Sequence, residues 1–259
     1  MLRRRTLEHT RLLIPNSVTA LAILFGYLAV IEIFQGYYAQ AALFILVACL
    51  LDMLDGRLAR MMRASTEFGV QFDSLADVLN YGFAPALLFY FAYFQDRGPL
   101  GVVISFLLLC AAAVRLARYN SSVNPNVPTT AFVGLPTTMS AVVMAGYVIF
   151  AAEVGLEDFW PAALLAVLMA FLMVSQVTYE KKNVLSLRYI RKTRRFFTGL
   201  LILASLLAFP RLAFFVWGLL YILYGLLRSA FGTLVHWRVS YKHHRAKQRI
   251  AQSMRHMEN

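Results

Sequence analysis

Apolar residues fill long stretches of this chain, and polar and charged residues concentrate in the segments between them. A hydrophobic stretch of about 20 residues is long enough to cross a bilayer as an α-helix. The pattern predicts about eight transmembrane helices, at approximately 12–35, 38–60, 70–95, 99–118, 132–152, 159–178, 197–209 and 211–230. Pro210 separates the last two, which we expect to form a tight hairpin or one broken element. The predicted fold is therefore an all-α integral membrane protein.

Composition agrees with this fold. The chain has 259 residues, of which 60% are hydrophobic and 15% charged, whereas soluble domains carry about 25% charged residues. A single membrane domain over residues 1–259 accounts for the whole length, and its last part, 231–259, is predicted to be a basic cytoplasmic tail.

The placement of the positive charge predicts the orientation. With eight spans, all but two of the 25 lysines and arginines fall on one side of the membrane, the exceptions being Arg97 and Arg211. Basic loops stay in the cytoplasm, so both termini are predicted to be cytoplasmic. The net charge of +12 then favours contact with anionic lipid headgroups of the bilayer rather than with nucleic acid.

Four aspartates lie at the cytoplasmic ends of the second and third predicted spans: Asp52, Asp55, Asp73 and Asp77. An aspartate inside a membrane helix costs about 2.5–3.5 kcal/mol, so such residues usually have a function. Spacings of three and four residues place each pair on one helix face, with Cβ atoms about 5–6 Å apart. The two helices run in opposite directions, and we expect the two faces to converge.

Converging carboxylates repel one another, and divalent cations relieve that repulsion. Hard oxygen ligands suit Mg²⁺, Mn²⁺ or Ca²⁺, and two such ions can clamp a phosphoryl group during displacement. One alternative is an ion-pair network between the aspartates and the arginines at 57, 60 and 63. Another is an ion transporter that uses the aspartates as its pathway, although transporters more naturally place such acids at the membrane midplane.

A glycine follows the first acidic pair. Gly56 lies in a helical pattern, where glycine costs about 1 kcal/mol relative to alanine, and Ala59 is a small neighbour on the same helix. Small residues there either allow a ligand to approach the backbone or allow close helix packing.

Taken together, these residues form a spaced motif. Asp52, Asp55, Gly56, Ala59, Arg60, Gly69, Asp73 and Asp77 match D-x2-D-G-x2-A-R-x8-G-x3-D-x3-D at all eight specified positions. The chain therefore resembles the CDP-alcohol phosphatidyltransferases, which transfer a phosphatidyl group from a CDP-activated lipid to an alcohol.

The resemblance implies a site and an architecture. In this family the four aspartates bind two divalent ions, Mg²⁺ or Mn²⁺ with Ca²⁺ as an alternative, at the cytoplasmic face. Asp52, Gly56, Ala59, Arg60 and Gly69 would hold the cytidine nucleotide, and Asp77 would be the general base. The family core has six helices, here about 12–180, and its members form homodimers. The two predicted helices at about 197–230 are additional to that core.

Three further segments concern the acceptor. The runs from Asn80 to Ala86, from Arg115 to Asn120 and from Phe132 to Pro136 are similar to the branch of the family that uses L-serine. Asn80 replaces the usual serine of that branch, and Thr138 stands where proline is common. The predicted substrates are CDP-diacylglycerol and L-serine. Choline, glycerol 3-phosphate and inositol phosphate remain alternative acceptors.

Three more residues are candidates for substrate binding. Arg115 or Arg118 could bind a diphosphate or the carboxylate of serine, or could simply anchor the fourth span at the cytoplasmic surface. Asn16 could hydrogen-bond the nucleotide or phosphate, or satisfy carbonyl groups around a helix start perturbed by Pro15.

Overall fold

The computed structural model describes residues 2–62, 66–122, 131–156, 158–175, 177–180 and 213–227. Within these ranges the fold is helical apart from one short β-ribbon. The helices are α1 (Leu2–Phe34), α2 (Tyr38–Met62), α3 (Glu67–Asp77), α4 (Ala84–Phe89), α5 (Gly98–Ser122), α6 (Thr137–Val154), α7 (Phe159–Val174) and α8 (Ala213–Leu227). The ribbon pairs β1 (Ala131–Val133) with β2 (Thr178–Glu180). The predicted span at 197–209 and the basic tail at 231–259 lie outside the described residues.

The α1–α2 hairpin forms one wall of the site. Gly36 turns the chain between the helices with a φ of +83°, a conformation that costs glycine little. Close to this turn, Ala29, Ile33, Ala41 and Ile45 are buried. The small alanines let the two helices approach closely. At the opposite end of the hairpin, α2 carries Asp52 and Asp55 toward the middle of α1.

The predicted span at 12–35 agrees with the apolar segment Leu13–Phe34 of α1. The helix itself extends back to Leu2, so Pro15 lies inside it. Pro15 lacks a backbone N–H, but its carbonyl oxygen lies 3.2 Å from the Thr19 hydroxyl. The chain therefore remains helical through Pro15 and keeps Asn16 on the helix.

Between Glu67 and Phe94 the chain is continuously helical and widens into a π-helix twice. Thr66 caps the start, because its hydroxyl oxygen accepts a hydrogen bond of 3.0 Å from the Gly69 backbone N–H. Two π-helical stretches follow, Val78–Phe83 and Tyr90–Phe94. Such widened turns are frequent at functional sites, and the first begins directly after Asp77.

The chain reverses direction at Gly98, whose φ is +55°. From there α5 returns to the end of the bundle that holds the aspartates. Asn120, near the end of α5, donates a hydrogen bond of 3.0 Å to the Ser74 hydroxyl on α3. This contact ties α5 to the helix that carries Asp73 and Asp77.

The predicted span at 132–152 would make Phe132–Pro136 part of a helix. In the structure this segment is not helical. Its first residues belong to the ribbon, where Phe132 pairs with Tyr179. Gly134, at a φ of +81°, then donates its backbone N–H to the Val177 carbonyl over 2.8 Å. Glycine is needed because a Cβ at this position would meet the Met173 carbonyl. The sixth helix starts only at Thr137.

Three helical segments in the described residues are long and apolar enough to cross a membrane: Leu13–Phe34, Glu67–Ser121 and Thr137–Val154. Many large apolar side chains face outward, including Leu24, Phe106, Leu164 and Phe171, as expected for a surface in contact with lipid. The protein is thus a helical membrane protein, and the count of eight spans stays a prediction.

Candidate active site

Three of the four predicted aspartates come together in the structure. Asp52 and Asp55 on α2 and Asp73 on α3 each place a carboxylate oxygen within 4.8 Å of the others. We call these residues the carboxylate cluster. It forms because α2 and α3 run in opposite directions and present their acidic faces to each other.

Asp55 is the most constrained member of the carboxylate cluster. Its side chain is only 3% exposed, and its Oδ2 atom accepts a hydrogen bond of 2.7 Å from the Thr19 hydroxyl. Thr19 is itself buried on α1. A buried hydroxyl–carboxylate contact of this length fixes the carboxylate orientation and links α1 to the cluster.

The carboxylate cluster fits a divalent cation. At an effective dielectric constant of about 20, two unit charges separated by the cluster's 4.8 Å repel by roughly 3.5 kcal/mol. One hydrogen bond to a charged group contributes only about 1.5–3 kcal/mol, so Thr19 alone cannot offset three such pairs. The donors are all carboxylate oxygens, which hard cations such as Mg²⁺, Mn²⁺ and Ca²⁺ prefer.

A cleft of about 200 Å³ opens beside the carboxylate cluster, between α1, α2 and the start of α3. We call it the α1–α3 cleft. Seven of the predicted site residues line it: Asn16, Asp55, Gly56, Ala59, Arg60, Gly69 and Asp73. Pro15, Thr19, Thr66 and Val70 complete the lining. Residues separated by more than 50 positions in the sequence thus share one cavity.

The two motif glycines, Gly56 and Gly69, add no side-chain atoms to the walls of this cleft. A Cβ on Gly56 would lie 3.7 Å from the Arg60 guanidinium, which therefore rests over the bare backbone of α2. A Cβ on Gly69 would lie 3.3 Å from the Asn16 amide oxygen and 3.2 Å from the Thr66 hydroxyl. Gly69 is thus where the first turn of α3 meets α1, and Asn16 faces that contact.

Asp77 lies apart from the carboxylate cluster, one turn further along the helix from Asp73. It remains within electrostatic range of Asp52, Asp73 and Arg115. Of these neighbours only Arg115 carries a positive charge. The acidic cluster and a cation therefore both contribute to the electrostatic environment of Asp77.

Arg115 is buried inside the helical bundle. Its side chain is 7% exposed, and its Nη1 group donates a hydrogen bond of 3.2 Å to the Thr137 hydroxyl on α6. The guanidinium carbon lies 5.5 Å from the centre of the Tyr119 ring, which is within cation–π range.

Arg118 has a different environment. Its Nη1 group donates a hydrogen bond of 2.8 Å to the Val174 carbonyl at the end of α7, where backbone carbonyls lack intrahelical partners. Arg118 does not line the α1–α3 cleft. The observed contact is that of a helix cap.

Comparison with known proteins identifies the family. The family model for CDP-alcohol phosphatidyltransferase matches residues 12–177. The chain belongs to this family. The match includes the carboxylate cluster, the α1–α3 cleft, Asp77 and Arg115, and it ends before α8.

Curated relatives of the family agree. A protein of Helicobacter pylori named CDP-diacylglycerol--serine O-phosphatidyltransferase is 33% identical over 85% of this chain and 92% of its own length. A protein of the same name from Methanocaldococcus jannaschii is 26% identical over 83% and 93%. An archaetidylserine synthase of Methanothermobacter thermautotrophicus is 29% identical over 65% and 70%. The chain is therefore similar to enzymes of phospholipid synthesis.

Several residues around the site were not singled out in the sequence. Thr19 was detectable in principle, because it follows Asn16 by three residues and continues a polar helix face in an otherwise apolar stretch. The contact of Thr137 with Arg115 depends on how α5 and α6 pack and has no local signal. Asn80, by contrast, was noted in the sequence for replacing the usual serine. It is buried in the phosphatidyltransferase core, and neither its amide oxygen nor its amide nitrogen has a hydrogen bond among the described residues.

Proposed function

We propose that this enzyme transfers the phosphatidyl group of CDP-diacylglycerol to L-serine and releases CMP and phosphatidylserine. The main observation that supports this reaction class is the carboxylate cluster beside the α1–α3 cleft. The relatives' names and the three sequence segments similar to the serine-using branch favour serine as the acceptor.

In this proposal the α1–α3 cleft binds the cytidine nucleotide of the lipid donor. Gly56 exposes backbone on one wall, and the Arg60 guanidinium beside it can pair with a phosphate oxygen. On the other wall, the Asn16 amide faces the closest approach of α1 and α3 at Gly69. The diphosphate would then lie next to the carboxylate cluster, because Asp55 and Asp73 line the same cleft.

Two divalent ions, Mg²⁺ or Mn²⁺ with Ca²⁺ as an alternative, would be held by Asp52, Asp55, Asp73 and Asp77. When bound, such ions neutralise the charge of the diphosphate and of the departing CMP. The protein itself would hold the metal ligands in position before the ions bind. The Thr19–Asp55 hydrogen bond of 2.7 Å does this for the Asp55 carboxylate.

Asp77 would remove the proton from the serine hydroxyl. The hydroxyl oxygen then attacks the phosphorus that bears the lipid, the bond from that phosphorus to the CMP oxygen breaks, and the proton remains on Asp77. Arg115, which lies within electrostatic range of Asp77, would bind the carboxylate of serine. Phosphoryl transfer depends mainly on such positioning and charge stabilisation.

The acceptor can be tested directly. We expect purified protein with CDP-diacylglycerol and a divalent metal to form CMP and phosphatidylserine when L-serine is supplied. Ethanolamine, which has the hydroxyl and the amine but no carboxylate, should be a poor acceptor, because it offers the Arg115 guanidinium no carboxylate to bind. The measurement is product analysis with radiolabelled CDP-diacylglycerol and a panel of alcohols. Efficient use of choline or glycerol 3-phosphate without any use of serine would contradict serine as the acceptor. It would still be consistent with the proposed reaction class.

We further propose that both termini and the active site face the cytoplasm and that the enzyme forms a homodimer, as its family does. Arg60, Arg115 and Arg118 lie at the end of the bundle that holds the site, and arginines are retained on the cytoplasmic side. Leu156 and the acidic Asp158 lie in the connection between α6 and α7, at the end of the bundle opposite the site.

Cysteine labelling would test this orientation. In a chain whose native Cys49 and Cys110 are replaced by alanine, a cysteine at Leu156 should react with an impermeant maleimide in intact cells. A cysteine at Asn183 should react only after permeabilisation. The chain without cysteines is the control for background labelling, and the reverse pattern would overturn the orientation.

A further inference from the structure

The helix α8 lies outside the family-matched region, yet it packs closely against the core. A Cβ on Gly146 of α6 would lie 2.8 Å from the backbone nitrogen of Phe215 on α8. One turn further along α8, a Cβ on Gly218 would collide with Val143. As the residue numbers rise along α8 they fall along α6, so the two helices are antiparallel. Glycines on both helices allow this close approach.

This packing directs α8 toward the end of the bundle that holds the site. Residues three and four positions after Gly218 share its helix face. They are Tyr221, which packs against the core, and Ile222, which is buried. On α6 the corresponding direction leads from Val143 toward Thr137, the residue that accepts a hydrogen bond from Arg115. Tyr221 accordingly lies within electrostatic range of Arg115.

Arg115 therefore lies among residues from four helices. Thr137 of α6 accepts a hydrogen bond of 3.2 Å from Nη1, the Tyr119 ring of α5 lies beside the guanidinium, and Asp77 of α3 and Tyr221 of α8 lie within electrostatic range. A guanidinium has five N–H donors in one plane and can bind a carboxylate through two of them. Such bidentate binding requires that the plane be held in one orientation.

We propose that Tyr221 is a positioning residue for the acceptor: its hydroxyl oxygen orients the Arg115 guanidinium so that two N–H groups face the acceptor carboxylate. The inference rests on the proposed use of serine. It assigns α8, which lies outside the family-matched region, a part in acceptor selection. Tyr221 acts through Arg115.

The decisive variant is Tyr221→Phe, which keeps the ring that packs against the core and removes only the hydroxyl. We expect the KM for serine to rise about threefold to tenfold, the range for one lost hydrogen bond. The kcat and the KM for CDP-diacylglycerol should stay within roughly twofold of the wild type, because the donor site is untouched. The ratio of serine use to ethanolamine use should fall, because ethanolamine has no carboxylate for Arg115 to bind.

Two further variants distinguish positioning from a structural role. Tyr224→Phe makes the same chemical change three residues later, at a side chain that is 52% exposed, and should leave every parameter unchanged. Tyr221→His restores a hydrogen-bond acceptor on an aromatic ring and should recover part of the serine affinity. Thermal unfolding in detergent monitors folding of all three variants.

The possible results separate this inference from the proposed function. If the wild-type enzyme forms phosphatidylserine and Tyr221→Phe has an unchanged KM for serine, the role of Tyr221 is wrong and the function stands. The role is also wrong if Tyr221→Phe lowers the use of serine and of ethanolamine by the same factor. It is likewise wrong if the variant changes kcat, the KM values of both substrates and the thermal stability together. If the wild type forms no phosphatidylserine, both the function and the inference fail.

Discussion

Replacing Asp52 with asparagine should abolish turnover and metal-dependent nucleotide binding while leaving the protein folded in detergent. Asparagine has the same shape but removes one negative charge from a cluster whose oxygens lie within 4.8 Å of one another. Loss of a residue that only orients a metal ligand typically lowers metal affinity about 10–100-fold, so loss of a ligand should cost at least about 100-fold. Because the change relieves repulsion in the apo protein, thermal stability without metal should be unchanged or higher.

The matched control is Asp96→Asn. Asp96 is exposed in the 3₁₀ turn before Gly98, at the end of the bundle opposite the cluster, and its replacement should alter neither binding nor turnover. The measurements are CMP release and binding of a CDP-lipid over a titration of Mg²⁺ or Mn²⁺. Near-normal turnover of Asp52→Asn in the presence of EDTA would contradict the metal site.

Local spacing in the sequence predicted much of this site, because the relevant geometry is that of single helices. Asp52 and Asp55 share a face at a spacing of three residues, and the short connection between α2 and α3 makes the two helices antiparallel. Gly56 and Arg60 lie one turn apart and also meet, as a helix requires. These features follow from residue spacing along α2 and from its short connection to α3.

Contacts between residues far apart in the sequence could not be derived in this way. Thr19 reaches Asp55 across the α1–α2 pair, and Tyr221 approaches Arg115 only because Gly146 and Gly218 let α8 pack closely against α6. The sequence pattern also placed Phe132 in a membrane span because that residue continues an apolar stretch. In the structure Phe132 belongs to the β-ribbon, and Gly134 has a positive φ, so the helix starts only after this segment. Hydrophobicity alone does not distinguish such a segment from a helix.

The position of Asp77 gives it a different expected phenotype from the other aspartates. It lies outside the group of three whose oxygens approach within 4.8 Å, and α3 gives way to a π-helical stretch directly after it. It also lies within electrostatic range of Arg115, to which we assign the acceptor carboxylate. A serine bound there would bring its hydroxyl toward Asp77, as a general base requires.

Asp77→Asn should therefore lower turnover by more than it weakens CDP-lipid binding, because it removes a general base, which usually contributes about 10²–10⁴-fold, in addition to one of the proposed metal ligands. Asparagine preserves the shape of the side chain but cannot accept the hydroxyl proton. The matched comparison is Asp73→Asn, one turn earlier on the same helix, which should lose binding and turnover together because Asp73 belongs to the carboxylate cluster and lines the cleft. Single-turnover rates and equilibrium binding of a CDP-lipid to both variants measure the two effects separately. Equal losses of binding and rate in Asp77→Asn would mean that Asp77 only holds metal, and the base would have to be sought elsewhere.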